Sequence, residues 1–218
     1  MNKTFTPAIA CCYVFLLLLL TASGCSDRTK PVTTDPVFAR SSGLTEEQAD
    51  VRTRQLLLQK LHIDALSADT LGPARVFTKV PDQAVPLPVH NSNYPKQIEA
   101  IYQVCQDSLG RIVYLAESPF SESGDWDIVY RSYYDAQGRI FAFERTAGFF
   151  NSTCTQGALY ETMIKFFDAQ GQVLATEQSY QDENGKAIQD KPCDFPYNFP
   201  YEVVTDVATY CRKINLRL

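Results

Sequence analysis

Hydrophobic residues along this chain follow three different patterns. Positions 8–20 form one unbroken run, Ala-Ile-Ala-Cys-Cys-Tyr-Val-Phe followed by five leucines. Positions 45–66 instead carry apolar residues at helical spacing, with Ala49, Leu56, Leu57 and Leu61 in a stripe and Leu58 beside it, which predicts a helix ending near Ile63–Leu66. From residue 97 the chain turns to short segments rich in Ile, Val, Tyr and Phe, bounded by turn residues. These predict strands over 98–106, 111–118, 127–135, 139–147, 158–168, 172–181 and 201–212, with a short one near 187–190. Between helix and strands, Gly72-Pro73 stops any helical continuation, and Pro81, Pro86, Pro88 and Pro95 make 81–95 a meandering extended loop.

Local chemistry reinforces both predictions. Thr45 can cap the helix, Gln48 three residues on completes a capping box, and Glu46 and Glu47 suit the positive end of the helix dipole. In the β region one turn cassette recurs four times: Asp107-Ser-Leu-Gly110, Asp135-Ala-Gln-Gly138, Asp168-Ala-Gln-Gly171 and Asp182-Glu-Asn-Gly185. Asp favours the first position of a type I turn because its carboxylate accepts a backbone N–H two residues on. Gly favours the position that follows the turn, where φ must be positive and a bulge forms. Segments such as 128–134 are apolar on both faces in places. The expected fold is therefore mainly β, in the α+β sense. It is an antiparallel up-and-down meander, either a curved open sheet or a partial barrel, with one N-terminal helix packed against it.

The cassette Tyr134-Asp-Ala-Gln-Gly-Arg-Ile140 resembles the YD-type hairpin repeat of large bacterial surface and toxin-shell proteins, and Phe167-Asp-Ala-Gln-Gly-Gln-Val173 matches it more loosely. The regular period of that family is absent, since the Asp-to-Asp steps are 28, 33 and 14 residues. The resemblance implies hairpins and carries no function with it. The start of the chain resembles something else. Its apolar run is shorter than the about 20 residues a spanning helix needs, Lys3 precedes it, and Thr21-Ala22-Ser23-Gly24-Cys25 follows. This is similar to the signal peptide of a bacterial lipoprotein, although Ala22 stands where that family more often has Leu. The resemblance implies removal of residues 1–24 and a diacylglycerol on the thiol of Cys25, with no other cofactor. It also implies attachment to the lipid bilayer of the cell envelope. Ser26 follows the cysteine and Asp27 comes one place later, which under the family's sorting rule favours the outer over the inner membrane. Residues 25–43 then read as a polar, lipidated tether, whose ends as a random coil would sit roughly 25 Å apart. Residues 44–218 form a single globular domain.

Composition narrows the partners. The net charge of the whole chain is −5 and no basic run occurs, which argues against nucleic acid and anionic lipid surfaces as partners. Of the seven cysteines, Cys11 and Cys12 lie in the signal and Cys25 is the lipid acceptor. The remaining four, Cys105, Cys154, Cys193 and Cys211, are expected to form two disulfides in an exported protein. An up-and-down meander with a descending last strand favours Cys105–Cys193 and Cys154–Cys211. The rival pairing is Cys193–Cys211 with Cys105–Cys154. With two histidines and no CxxC pair, no metal site is expected.

Catalytic motifs are missing: there is no G-x-S-x-G, HExxH, P-loop or complete EF-hand loop. Asp182, Asn184 and Gly185 read as a turn, and His62 and His90 as satisfied or surface side chains. Two stretches remain. The loop 117–127 holds Glu117, Glu122, Asp125, Asp127 and the only tryptophan, Trp126, a set that could bind or cleave a glycan. The stretch Cys193-Asp-Phe-Pro-Tyr-Asn-Phe-Pro-Tyr201 holds Phe195, Tyr197, Phe199 and Tyr201 on proline-stiffened backbone, which lowers the entropy cost of using them as a contact surface. The favoured expectation is a non-enzymatic envelope lipoprotein that binds a protein or glycan, with Trp126, Phe195, Tyr197, Phe199 and Tyr201 as binding residues. The alternatives are a secreted glycan hydrolase using the 117–127 carboxylates, or an immunity-type or scaffold module pairing through a sheet edge.

Overall fold

A computed structural model of the protein describes residues 45–68, 74–150, 155, 157–189 and 199–218. Cys25, Cys154, Cys193, Phe195 and Tyr197 lie outside these residues, as do the signal segment and the tether. The fold is mainly β. One antiparallel sheet contains eight strands: β1 (Ala74–Lys79), β2 (Leu87–Pro88), β3 (Ala100–Gln106), β4 (Ile112–Pro119), β5 (Trp126–Tyr134), β6 (Ile140–Phe149), β7 (Leu159–Phe167) and β8 (Val173–Asp182). Their order is β2-β1-β3-β4-β5-β6-β7-β8, so from β3 onward each strand pairs with the next, and β2 and β8 are free edges of an open sheet. Two helices complete the fold, α1 (Glu46–Ala68) and α2 (Val207–Lys213).

All four Asp–Gly cassettes fold as read. In each, the glycine N–H donates to the Asp carbonyl at 2.9–3.0 Å, and Oδ1 of the Asp accepts backbone N–H groups two and four residues on. The first three sit where the register shifts by a bulge, between Cys105 and Gln106, Tyr133 and Tyr134, and Phe166 and Phe167. These three turns share one end of the sheet. The fourth closes β8 at the opposite end, where Asp182 pairs with Leu159.

Both faces of the sheet are apolar, and each is covered. One face presents Cys105, Tyr114, Tyr133, Phe141 and Phe166 to Ala49, Leu56 and Ile63 of α1. The helix is capped by the expected box: Thr45 N–H donates to Gln48 Oε1 at 3.0 Å and Gln48 N–H donates to Thr45 Oγ1 at 3.3 Å. Its inward stripe differs from the expected one. Leu58 and Leu61 face solvent, while Lys60 and Ile63 are buried. The reason is electrostatic: the Lys60 ammonium is held 2.5 Å from Glu144 and 2.8 Å from Asp64, and Glu144 also pairs with Arg131 at 2.9 Å. Tyr133 Oη donates to Asp64 at 2.7 Å and ties the network to the sheet. A leucine in that place would leave Glu144 buried with one partner fewer.

The opposite face presents Tyr102, Val104, Leu115, Ile128, Tyr130, Phe143 and Phe149 to Val204, Tyr210 and Leu216. Here the structure corrects the strand expected over 201–212. Residues 204–206 run alongside the turn at Gly138, with Ile140 N–H donating to Thr205 O and Val207 N–H donating to Gly138 O, both at 2.9 Å. Residues 207–213 are then helical. Asp206 caps α2 by accepting from Thr209 N–H at 2.8 Å, and Arg212 and Lys213 lie in its last turn. The β-branched composition of 203–209 pointed to a strand; the cap and the burial of Tyr210 decide for a helix. β1 and β2 fall where a stop and a loop were expected, because the edge of β3 supplies the pairing that Ala74–Lys79 lacks locally.

The helical C-terminus also removes the descending strand on which Cys154–Cys211 was expected. Cys211 stands beside the 135–138 turn, at the opposite end of β6 from Phe149, and its expected partner Cys154 lies outside the described residues. Cys105 is buried under α1 and Cys211 lies on the other face, and both are free thiols in this structure. Burial raises the pKa of both, with Asp107 adding to the effect at Cys105 and Asp206 at Cys211, which favours the protonated thiol at neutral pH.

Two stability predictions result. Gly110 and Gly138 both have positive φ, but a Cβ on Gly138 would meet Val207 Cγ1 at 3.0 Å, whereas one on Gly110 meets nothing. Gly110→Ala should cost about 1–2 kcal/mol for its left-handed backbone alone, and Gly138→Ala should cost more because α2 must shift; urea midpoints give the order. Lys60→Met should cost about 3 kcal/mol by removing one cation from Asp64 and from the buried Glu144. In thermal melts the double variant Lys60→Met with Glu144→Leu should regain most of that loss.

Candidate functional site

The strand register builds one continuous row across the face that the C-terminal segment covers. Phe77, Tyr102, Glu117, Tyr130, Arg145 and Met163 are direct neighbours from β1 through β3, β4, β5 and β6 to β7. Period-two alternation places all of them on the same side. Above the first half of this row lies a cavity of about 600 Å³, walled by Tyr102, Glu117, Tyr130, Tyr201 and Tyr210, with Lys79 and Lys213 at its rim.

The walls are held by hydrogen bonds and ring contacts between sheet and cover. Tyr210, projecting from α2, donates its hydroxyl to Glu117 Oε2 at 2.6 Å. Tyr130 Oη donates to the carbonyl of Phe199 at 2.8 Å and fixes the backbone where the covering segment begins. Tyr201 lies flat on the sheet, its ring centroid 5.0 Å from that of Tyr130 and 5.4 Å from that of Phe143, both stacked. The Arg145 guanidinium stands 6.0 Å from the Tyr201 ring and is paired with Glu161. Phe199 reaches Trp126, ring centroids 5.7 Å apart.

The cavity is polar in a directed way. Burial, and after it the charge of Glu117, pushes the pKa of Tyr102 and of Tyr210 far above that of a free phenol. Both therefore remain neutral hydrogen-bond donors at any physiological pH. The two lysines at the rim are matched by carboxylates: Lys79 by Glu99 and Lys213 by Glu202, each at 2.8 Å.

Of the residues singled out from sequence, Tyr201 lines the cavity at 37% exposure, while Phe199, 39% exposed, packs against Trp126 beside it without lining it. The four loop carboxylates do not converge. Glu117 lines the cavity, Glu122 is exposed in the turn, Asp125 is partly buried near it, and Asp127 occupies the opposite face of β5 from Trp126 and Ile128. His62 and His90 are exposed. Among the described residues no group of three or more His, Cys, Asp or Glu side chains comes together to hold a metal ion, and no helix is long and apolar enough to cross a membrane. Tyr102, Tyr130 and Tyr210 were not visible as site residues. The first two needed the register that aligns them with Glu117, and the third needed residues 207–213 to be a helix.

The single tryptophan makes the site observable. Phe199→Ala should shift Trp126 emission to longer wavelength by admitting water to the indole, while Phe150→Ala, 45% exposed just after β6, should leave it unchanged. No family model matches this chain, and no curated protein or solved structure is significantly similar to it.

Proposed function

We propose that the chain is a lipid-anchored protein of the bacterial envelope. In this reading its β-domain binds a partner protein or glycan through the face covered by the C-terminal segment and catalyses no reaction there. The anchor rests on the Ala22-Ser23-Gly24-Cys25 sequence and the polar stretch that follows it. With two or three acyl chains on Cys25, release from the bilayer would be negligible, since each buried CH₂ contributes roughly 0.8 kcal/mol. The Ser26 position supports the outer membrane as its address. No covalent group other than the lipid is invoked.

One observation carries the binding role. Half-exposed aromatics of the covering segment are held in ring contacts: Tyr201, which lines the cavity, stacks on Tyr130 and Phe143, and Phe199, two residues earlier, packs against Trp126. Aromatic anchors that are already ordered lose little freedom on binding, so a larger share of their buried area appears as affinity. The glycan-hydrolase alternative asked for two convergent carboxylates in the 117–127 loop, and of that set only Glu117 stands in the cavity.

Two outcomes test this reading. Cys25→Ala should move the protein from the membrane to the soluble fraction; continued membrane association would remove the lipid anchor. In intact cells, photo-cross-linkers placed at position 199 should capture a discrete partner that is lost in Trp126→Ala, whereas a cross-linker at the exposed Leu109 turn should not. Equal capture from both positions would overturn the assignment of this face.

A further inference from the structure

The cavity carries more than a hydrophobic mouth, because its charges do not balance locally. Lys79 and Lys213 are engaged by Glu99 and Glu202 at the rim, and Arg145 further along the row is engaged by Glu161. Glu117 has no cationic partner among the described residues. Its bond is to the neutral hydroxyl of Tyr210, at 2.6 Å. That carboxylate is partly buried in the recess, where charge–charge terms are stronger than at the open surface. The walls around it are rings. Tyr102 and Tyr130 flank Glu117 directly in the row, Tyr210 closes from above, and Tyr201 stands beside Tyr130. Aromatic faces attract cations through their quadrupoles and repel anions.

We propose that this cavity receives a cationic side chain, lysine or arginine, from a partner protein, with its charged head on Glu117 and its methylene stem along the tyrosine rings. This rests on the binding role given above to the same face and adds the chemistry of what is bound. The volume of about 600 Å³ accommodates a long side chain with room for water. The stems of Lys and Arg pack readily on apolar walls while the head reaches a polar partner. Tyr102 and Tyr210 add neutral hydroxyls that stay protonated. An acidic ligand would have to approach Glu117 unaided, because the lysines nearest the cavity are already paired at its exposed rim.

Ligand-detected NMR on the full chain in detergent tests this with capped single amino acids: the Nα-acetyl amides of lysine, arginine, norleucine and glutamate. The lysine or arginine probe should bind at least about tenfold more tightly than norleucine, which has the same stem without the charge, and glutamate should not bind. Glu117→Gln, which retains an oxygen for Tyr210, should erase the preference over norleucine. Equal affinity for lysine, arginine and norleucine would overturn the proposal, as would stronger binding of glutamate. Tighter binding of glucosamine than of either basic probe would also overturn it, by assigning the cavity to an amino sugar. The wild-type comparison needs no variant to fold. If these probes show no preference while the cross-link at position 199 still captures its partner, the cation falls and the binding role of the face stands.

Discussion

A single antiparallel sheet that is apolar on both faces cannot stand alone in water, and this constraint organises the whole molecule. Antiparallel sheets commonly bury one face and solvate the other, which gives a clean alternation of apolar and polar residues. Here β5 and β6 bury side chains in both directions: Ile128, Tyr130 and Phe143 on one side, Tyr133 and Phe166 of the neighbouring β7 on the other. Two separate covers are therefore required. The helix α1 supplies one from before the strands. The segment from Phe199 to Leu218 supplies the other from after them.

The two covers handle charge differently, and that difference gives the domain its polarity. Under α1 the charged groups form a network of two cations and two carboxylates: Lys60 and Arg131, Asp64 and Glu144. Beneath the C-terminal cover, Arg145 and Glu161 form a buried pair, while among the described residues Glu117 is met by the phenol of Tyr210. The described part of the C-terminal cover runs from Phe199 to Leu218. It packs closely over the middle strands and leaves a cavity above β3 and β4.

The turns do more than reverse the chain. The Asp135–Gly138 turn offers the Gly138 carbonyl to Val207 N–H, and the strand start at Ile140 offers its N–H to Thr205. A hairpin end therefore serves as the docking point for the C-terminal segment and sets where α2 begins. From there Tyr210 is carried to Glu117, on a strand distant in sequence but adjacent through the sheet. A turn geometry written in four residues in this way fixes the position of a hydroxyl on the cavity wall.

Patterns with a short range were legible in the sequence. The helix near 45–66, its capping box, six of the eight strands and all four Asp–Gly turns depend on residues within a few positions of one another, and they appear within one to three residues of where they were read. The aromatic pair Phe199 and Tyr201, and Trp126, were also visible, because rigid aromatics beside prolines stand out by composition. What remained hidden depended on contacts across the fold. β1 is a strand only because β3 offers it an edge. Residues 207–213 are helical against their β-branched composition because Tyr210 is buried and Asp206 caps the turn. Lys60 points inward because Glu144, far along the chain, stands opposite. The site is of this second kind: Tyr102 and Tyr130 are unremarkable along the sequence, and they join Glu117, visible only as a loop carboxylate, into one wall when strand register aligns them. Local propensity and turn chemistry decide which elements form, whereas burial and charge pairing between distant elements decide which faces meet and where a cavity is left.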